Sequence, residues 1–63
     1  MVTLAEARKR KGWTQHKLAE RLGVSCSTIG NYEAGVREPS LSQFKKLAEL
    51  LEVSMDELVL KSN

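Results

Sequence analysis

The sequence predicts an all-α domain built from five short helices. Three observations carry this. Hydroxyl residues recur just before stretches of helical apolar periodicity, where they can cap a helix start. Gly12, Gly23 and Gly35 stand just after such stretches, where a left-handed residue ends a helix. No alternating strand pattern, internal repeat or low-complexity tract intervenes.

Thr3 opens the first helix, over 4–11, with Glu6 three residues on. At that spacing a hydroxyl and an acid satisfy each other's free backbone N–H groups. Leu4 and Ala7 form its buried edge. Thr14 caps a second helix over 15–22, in which Leu18, Ala19 and Leu22 share a face at about 100° per residue. Ser25 caps a third over 26–34, with Ile29 and Tyr32 turned inward. Pro39 restricts the next connection without entering a helix. Ser40 and Gln43 form a second capping box, opening 41–51, where Leu41, Phe44, Leu47, Ala48 and Leu51 lie on one face. Ser54 and Glu57 form a third box for a fifth helix over 55–60, with Val24, Val53 and Leu58 filling between helices. Fully burying a Leu or Phe contributes about 1.5–3 kcal/mol. A chain of this length has only about 3–9 kcal/mol of stability, so Phe44→Ala or Leu47→Ala should unfold much of the population.

Sixty-three residues allow one domain, 1–63. A chain this short buries only about 60% of its unfolded surface, which leaves no room for a deep catalytic cleft. With one Cys and no His/Cys pairs at zinc spacing, neither a disulfide nor a metal staple is expected. Apolar residues at 41% and charged residues at 29% suit a soluble globular domain. No apolar run approaches the roughly 20 residues of a membrane span, and the basic N-terminal segment leads into no signal-peptide core. A cytoplasmic protein without a membrane partner is therefore expected. The net charge of +2 is unevenly spread. Residues 1–23 carry Arg8, Lys9, Arg10, Lys11, Lys17 and Arg21 against Glu6 and Glu20, a local +4, while 24–63 is a local −2. A basic pole suits a polyanion, although a solvated helix surface has the same composition.

The span 26–34 is the most informative. With Ile29 and Tyr32 inward, its opposite face is Cys26, Ser27, Gly30, Asn31 and Ala34, none of them charged. A solvated helix ordinarily carries Lys and Glu there. Small polar residues and a Gly let the helix approach another surface closely while offering hydrogen-bonding groups. The DNA major groove fits this description, and so does a protein partner.

The segment TQHKLAERLGVSCSTIGNYEAG places two short helices either side of a Gly-containing turn. It resembles the helix-turn-helix of the phage-repressor family, the Cro/XRE type. Ala19 matches the small residue where the two helices touch, Gly23 the turn glycine, and Ile29 the aliphatic anchor of the recognition helix. The likeness extends to KGWTQ, YEAG, the Pro39-Ser40-Leu41 helix start and VSMDELV, nearly the whole chain.

The resemblance implies a compact five-helix, lambda-repressor-like DNA-binding domain with the helix-turn-helix at helices 2 and 3. It implies a transcriptional regulator of bacterial or phage origin, a repressor, binding double-stranded DNA sequence-specifically and located with the nucleoid in the cytoplasm. Carried over position by position, Gln15 meets a phosphate or a base edge, and Cys26, Ser27, Thr28 and Asn31 reach bases or adjacent backbone. The amide of Asn31 suits bidentate pairing with adenine. Thr14, Lys17 and Arg37 join Gln15 as phosphate contacts, Thr14 through the free N–H groups it caps. Cys26 and Ser27 are shorter than the Gln, Arg or Lys of strong family members, which shifts specificity toward DNA shape. Arg8 lies beside Leu4 and Ala7 at the core edge, where an unpaired guanidinium is costly. Glu33 is its candidate partner, and the family has a similar ion pair at these positions. Met55, Leu58, Val59 and Leu60 exceed what one small core takes up. Together with the resemblance they imply a homodimer joined through the final helix, binding an inverted repeat.

Other functions have less behind them. His16 has no Ser, Cys or acid constellation around it in sequence and there is no Gly-rich phosphate loop, so no catalytic residue, cofactor or metal is assigned. Trp13 reads as a core aromatic between helices. A protein-partner role, as an antitoxin or regulatory subunit, is compatible with DNA binding. Cys26, just after the Ser25 cap, is placed for a lowered thiol pKa and a redox role, or is simply a small residue that fits a groove.

Overall fold

Each helix starts where a hydroxyl can reach a free backbone N–H. The structure, a computed structural model, describes residues 1–62; residue 63 of the expected domain lies outside the described residues. Among the described residues there are four helices, α1 (Leu4–Arg10), α2 (Gln15–Leu22), α3 (Cys26–Glu33) and α4 (Leu41–Leu51). Thr3 and Glu6 form a complete capping box, Glu6 N–H donating to Thr3 Oγ1 at 3.2 Å and Thr3 N–H to Glu6 Oε1 at 3.0 Å. Accepting from the Thr3 backbone and side chain holds the Glu6 carboxyl below its ordinary pKa. Thr14, Ser25 and Ser40 accept from the N–H groups of Lys17, Thr28 and Gln43 at 3.1, 3.2 and 3.2 Å.

The helix ends are equally regular. Gly23 turns left-handed at φ 83°, and its N–H and that of Val24 both donate to Ala19 O, at 2.8 and 3.0 Å. This closes α2 and aims the chain into α3 within three residues. At the end of α4 the left-handed position is Glu52, at φ 58°, where a side chain costs about 1–2 kcal/mol. Lys11 Nζ donates to the Glu52 carboxylate, ties this end to the end of α1, and holds the Glu52 pKa below its ordinary value.

The expected fifth helix over 55–60 is not formed. Glu57 N–H and Leu58 N–H both donate to Ser54 O at 3.1 Å, one turn that goes no further. The chain then extends as β2 (Leu58–Val59), parallel to β1 (Val2–Thr3), with Val2 opposite Leu58 and Thr3 opposite Val59. Val2 N–H donates to Glu57 O at 2.8 Å, so a long-range ladder takes groups that a local helix would have used. The branched Val2 and Val59 suit the extended backbone, and both Val2 and Leu58 are buried by it. The fold is therefore mostly helical, with one short strand pair joining its two ends.

The core gathers Val2, Leu4, Ala7, Leu18, Ala19, Leu22, Ile29, Tyr32, Leu47, Ala48, Leu51 and Leu58 from every element. Two expected core residues differ. Leu41 is 75% exposed, because a first-turn side chain leans toward the helix N-terminus and reaches past the packed surface. Phe44 is half-buried against the core edge. Leu47, by contrast, is fully enclosed. We expect Leu47→Ala to cost about 2–5 kcal/mol in urea unfolding, a large part of the total, and Phe44→Ala to cost less.

Candidate nucleic-acid interface

Helices α2 and α3 pack on each other more extensively than any other pair, with Ala19 and Ile29 both buried in that region. A small residue at position 19 lets the two axes approach, and Gly23 supplies the sharp turn between them. The outcome is a helix-turn-helix in which α3 has one buried face and one open face.

Of the open-face residues, Ser27, Asn31 and Ala34 are exposed and Gly30 is half-buried. The one charged residue of α3, Glu33, is turned away into a part-buried network, its side chain 10% exposed. The outward face is thus neutral, polar and low in relief. The residues expected at base edges are not all brought to it. Cys26 is half-buried and packs against the core, as a small soft hydrophobe does. Thr28 is also half-buried, its Oγ1 2.9 Å from Ser25 Oγ in the cap itself. Ser27 and Asn31 are the two that stand free of the protein surface.

The expected phosphate contacts flank this face in sequence. Thr14 is exposed and its hydroxyl is engaged in capping α2. Lys17 Nζ lies 3.8 Å from Glu20 Oε1 with side chains 43% and 75% exposed, a loose surface pair of little strength. Arg37 is exposed in the loop after α3, and its backbone N–H donates to Asn31 O at 3.3 Å, which ties that loop to α3.

Three helices meet at one carboxylate. Arg8 Nε donates to Glu33 Oε2 at 2.7 Å and Nη2 to Oε1 at 3.3 Å, while Nη1 donates to Trp13 O at 2.8 Å. Gln15 Nε2 adds a further bond to Glu33 Oε1 at 3.0 Å. Gln15, the first residue of α2, is therefore half-buried and held from within rather than free. Nothing in the sequence pointed to this bond, since the residues lie on different helices and only proximity in the fold relates them. Trp13, half-buried, is flanked by Lys11 Nζ and Arg21 Cζ at 5.4 and 5.3 Å from its ring centre, favourable cation–π distances.

The tail side differs from expectation in one residue. Leu58 is 3% exposed and part of the core, so it is not available as an interface side chain. Met55 remains exposed, and Val59 and Leu60 are half-buried. Among the described residues no His, Cys, Asp or Glu group is arranged to hold a metal, and no helix is long and apolar enough to cross a membrane.

Removing one member of the buried pair strands the other. Arg8→Ala is expected to cost about 3–5 kcal/mol in chemical denaturation, whereas replacing both partners together by Met and Leu should recover much of the loss.

The helix-turn-helix family matches residues 4–58. The HTH-type transcriptional regulator AnsR of Bacillus subtilis is 43% identical over 56 residues, covering 89% of this chain and 48% of AnsR. Antitoxin HipB of Escherichia coli O6:H1 is 42% identical over 48 residues, covering 76% of this chain and 51% of HipB. The chain thus spans about half the length of these curated relatives. The crystal structure of SinR, master regulator for biofilm formation, in complex with DNA superposes with a TM-score of 0.77 at 31% identity, covering 86% of this chain and 87% of that one. On these residues and this geometry, the chain belongs to the Cro/XRE-type helix-turn-helix family.

Proposed function

We propose that this domain binds double-stranded DNA sequence-specifically and regulates transcription as a repressor. In this reading residues 26–34 lie in the major groove. The observation that carries it is the neutral, low-relief outward face of α3, with Ser27 and Asn31 exposed on a chain whose N-terminal segment is strongly basic. Asn31 would donate and accept at an adenine edge. Thr14, Gln15, Lys17 and Arg37 would grip phosphates on either side and fix the register without reading sequence. The likeness to SinR, solved in complex with DNA, supports the same use of the fold. Repression then requires only that the bound domain occupy its site in competition with polymerase, in the cytoplasm on the nucleoid.

A homodimer on an inverted repeat is part of this reading, and the size of the domain supports it. The domain measures 24 × 23 × 21 Å, shorter than the roughly 34–36 Å between successive major-groove faces of one DNA turn. One copy reads one half-site, and two copies related by a two-fold axis read an inverted repeat. Exposed Met55 and the half-buried Val59 and Leu60 are the surface we assign to the contact between copies. The likeness to the antitoxin HipB supports a second partner class, a protein, bound together with DNA.

The test is affinity for a preferred duplex measured by fluorescence anisotropy across a salt series. Log affinity should fall linearly with log salt at about −0.9 per phosphate contacted, and Arg37→Ala should make that slope shallower by about one contact. Asn31→Ala should cost about 1–3 kcal/mol on the preferred site and relax the choice of one base pair, with little effect on nonspecific DNA. Equal losses on both DNAs would remove Asn31 from base reading.

A further inference from the structure

The carboxylate of Glu33 has a task beyond its pairing with Arg8. Two of its three side-chain donors come from Arg8, and the third is Gln15 Nε2 at 3.0 Å. A primary amide can be turned by half a rotation, exchanging its oxygen and nitrogen, unless a neighbour distinguishes them. Glu33 does distinguish them. An ionised carboxylate only accepts, so the amide oxygen of Gln15 facing Oε1 would set two acceptors against each other. The arrangement therefore fixes Gln15 with its nitrogen toward Glu33. One N–H remains for an outside acceptor, beside an amide oxygen of known direction. The guanidinium of Arg8, 2.7 Å from the same carboxylate, neutralises a charge that would otherwise repel phosphate from this end of the interface.

We infer that Glu33 is a positioning residue for DNA binding: it locks the amide of Gln15 so that a single N–H is presented to the DNA backbone in a fixed orientation. This rests on the DNA-binding reading above. The effect is distinct from holding the helices together, which Arg8 and Glu33 would do without Gln15. Glu33→Gln reverses the group that Gln15 meets, and melting followed in parallel reports its cost to the Arg8 pair. A glutamine can keep its oxygen toward Arg8 Nε, but its own NH2 then faces both Arg8 Nη2 and Gln15, so this variant should also melt below the parent. Gln15 must rotate to offer its oxygen, and its presentation to DNA is reversed.

The experiment is a double-mutant cycle with Gln15→Ala and Glu33→Gln, each protein titrated with the same duplex, with thermal melting followed in parallel. Gln15→Ala should weaken binding about tenfold, as expected for one hydrogen bond to a charged group. Because it also removes the Gln15–Glu33 bond it should melt somewhat below the parent, so affinities are compared at a temperature where every variant remains folded. In the Glu33→Gln background the same Gln15→Ala change should alter affinity less than about twofold, because the contact is already lost. Two equal tenfold losses, one in each background, would show that Glu33 does not set the orientation of Gln15. No effect of Gln15→Ala in the parent would overturn the inference as well. If the parent itself bound no duplex while melting cooperatively, the DNA-binding reading would fail and this inference with it. Should Glu33→Gln melt below the assay temperature, Glu33→Asp serves in its place. It keeps the charge and the acceptors but withdraws them by one methylene, and the coupling should be weakened rather than lost.

Discussion

A carboxylate held out of water between three helices organises this molecule. Glu33 at the end of α3 receives Arg8 from α1 and Gln15 from α2, and Arg8 also holds the carbonyl of Trp13 in the connection between those helices. Such a buried pair adds little net stability compared with a well-packed apolar replacement, since desolvating both charges offsets most of their attraction. Its value is geometric. Apolar side chains can slide past one another, whereas a guanidinium, a carboxylate and an amide with fixed donor directions fit in one arrangement only. The start of α2 and the end of α3, both ends of the helix-turn-helix, are thereby set against α1.

The same arrangement clears the outward face of charge. Glu33 is the only ionised residue on α3, and because it is consumed inside the fold, what α3 and its capping residue Ala34 show to solvent is a hydroxyl, an amide and an alanine, with the half-buried Gly30 between them. A helix with that surface gains little from water alone and can lie close to a polar partner. Positive charge is supplied by neighbouring segments instead of by α3 itself, so that under the proposed function attraction to a polyanion and reading of its edges would belong to different residues.

Local rules made most of the fold legible. The hydroxyl caps at Thr3, Thr14, Ser25 and Ser40, the left-handed glycines, and the inward stripes of α2 and α3 all depend on residues within a few positions of one another, and they are found where the sequence puts them. What was not legible depends on distance. Ser54 and Glu57 carry the signal of a helix start, yet pairing with Val2 from the other end of the chain takes the segment into a strand. Leu41 has the right angular position for the core but lies at the helix's first residue, beyond the packed surface. For the site, the neutral face was readable as an absence of Lys and Glu, whereas the inward lean of Cys26 and the Gln15–Glu33 bond arise only once three helices are assembled.

The most direct test of the account is selection of the purified protein against a random duplex-DNA library at about physiological salt, after confirming that it melts cooperatively. Groove reading by α3 in a two-fold pair predicts enrichment of an inverted repeat with half-site centres about 10–10.5 base pairs apart. A cooperatively folded protein that enriches no sequence over the starting library would contradict it, and would assign the neutral face of α3 to a protein partner.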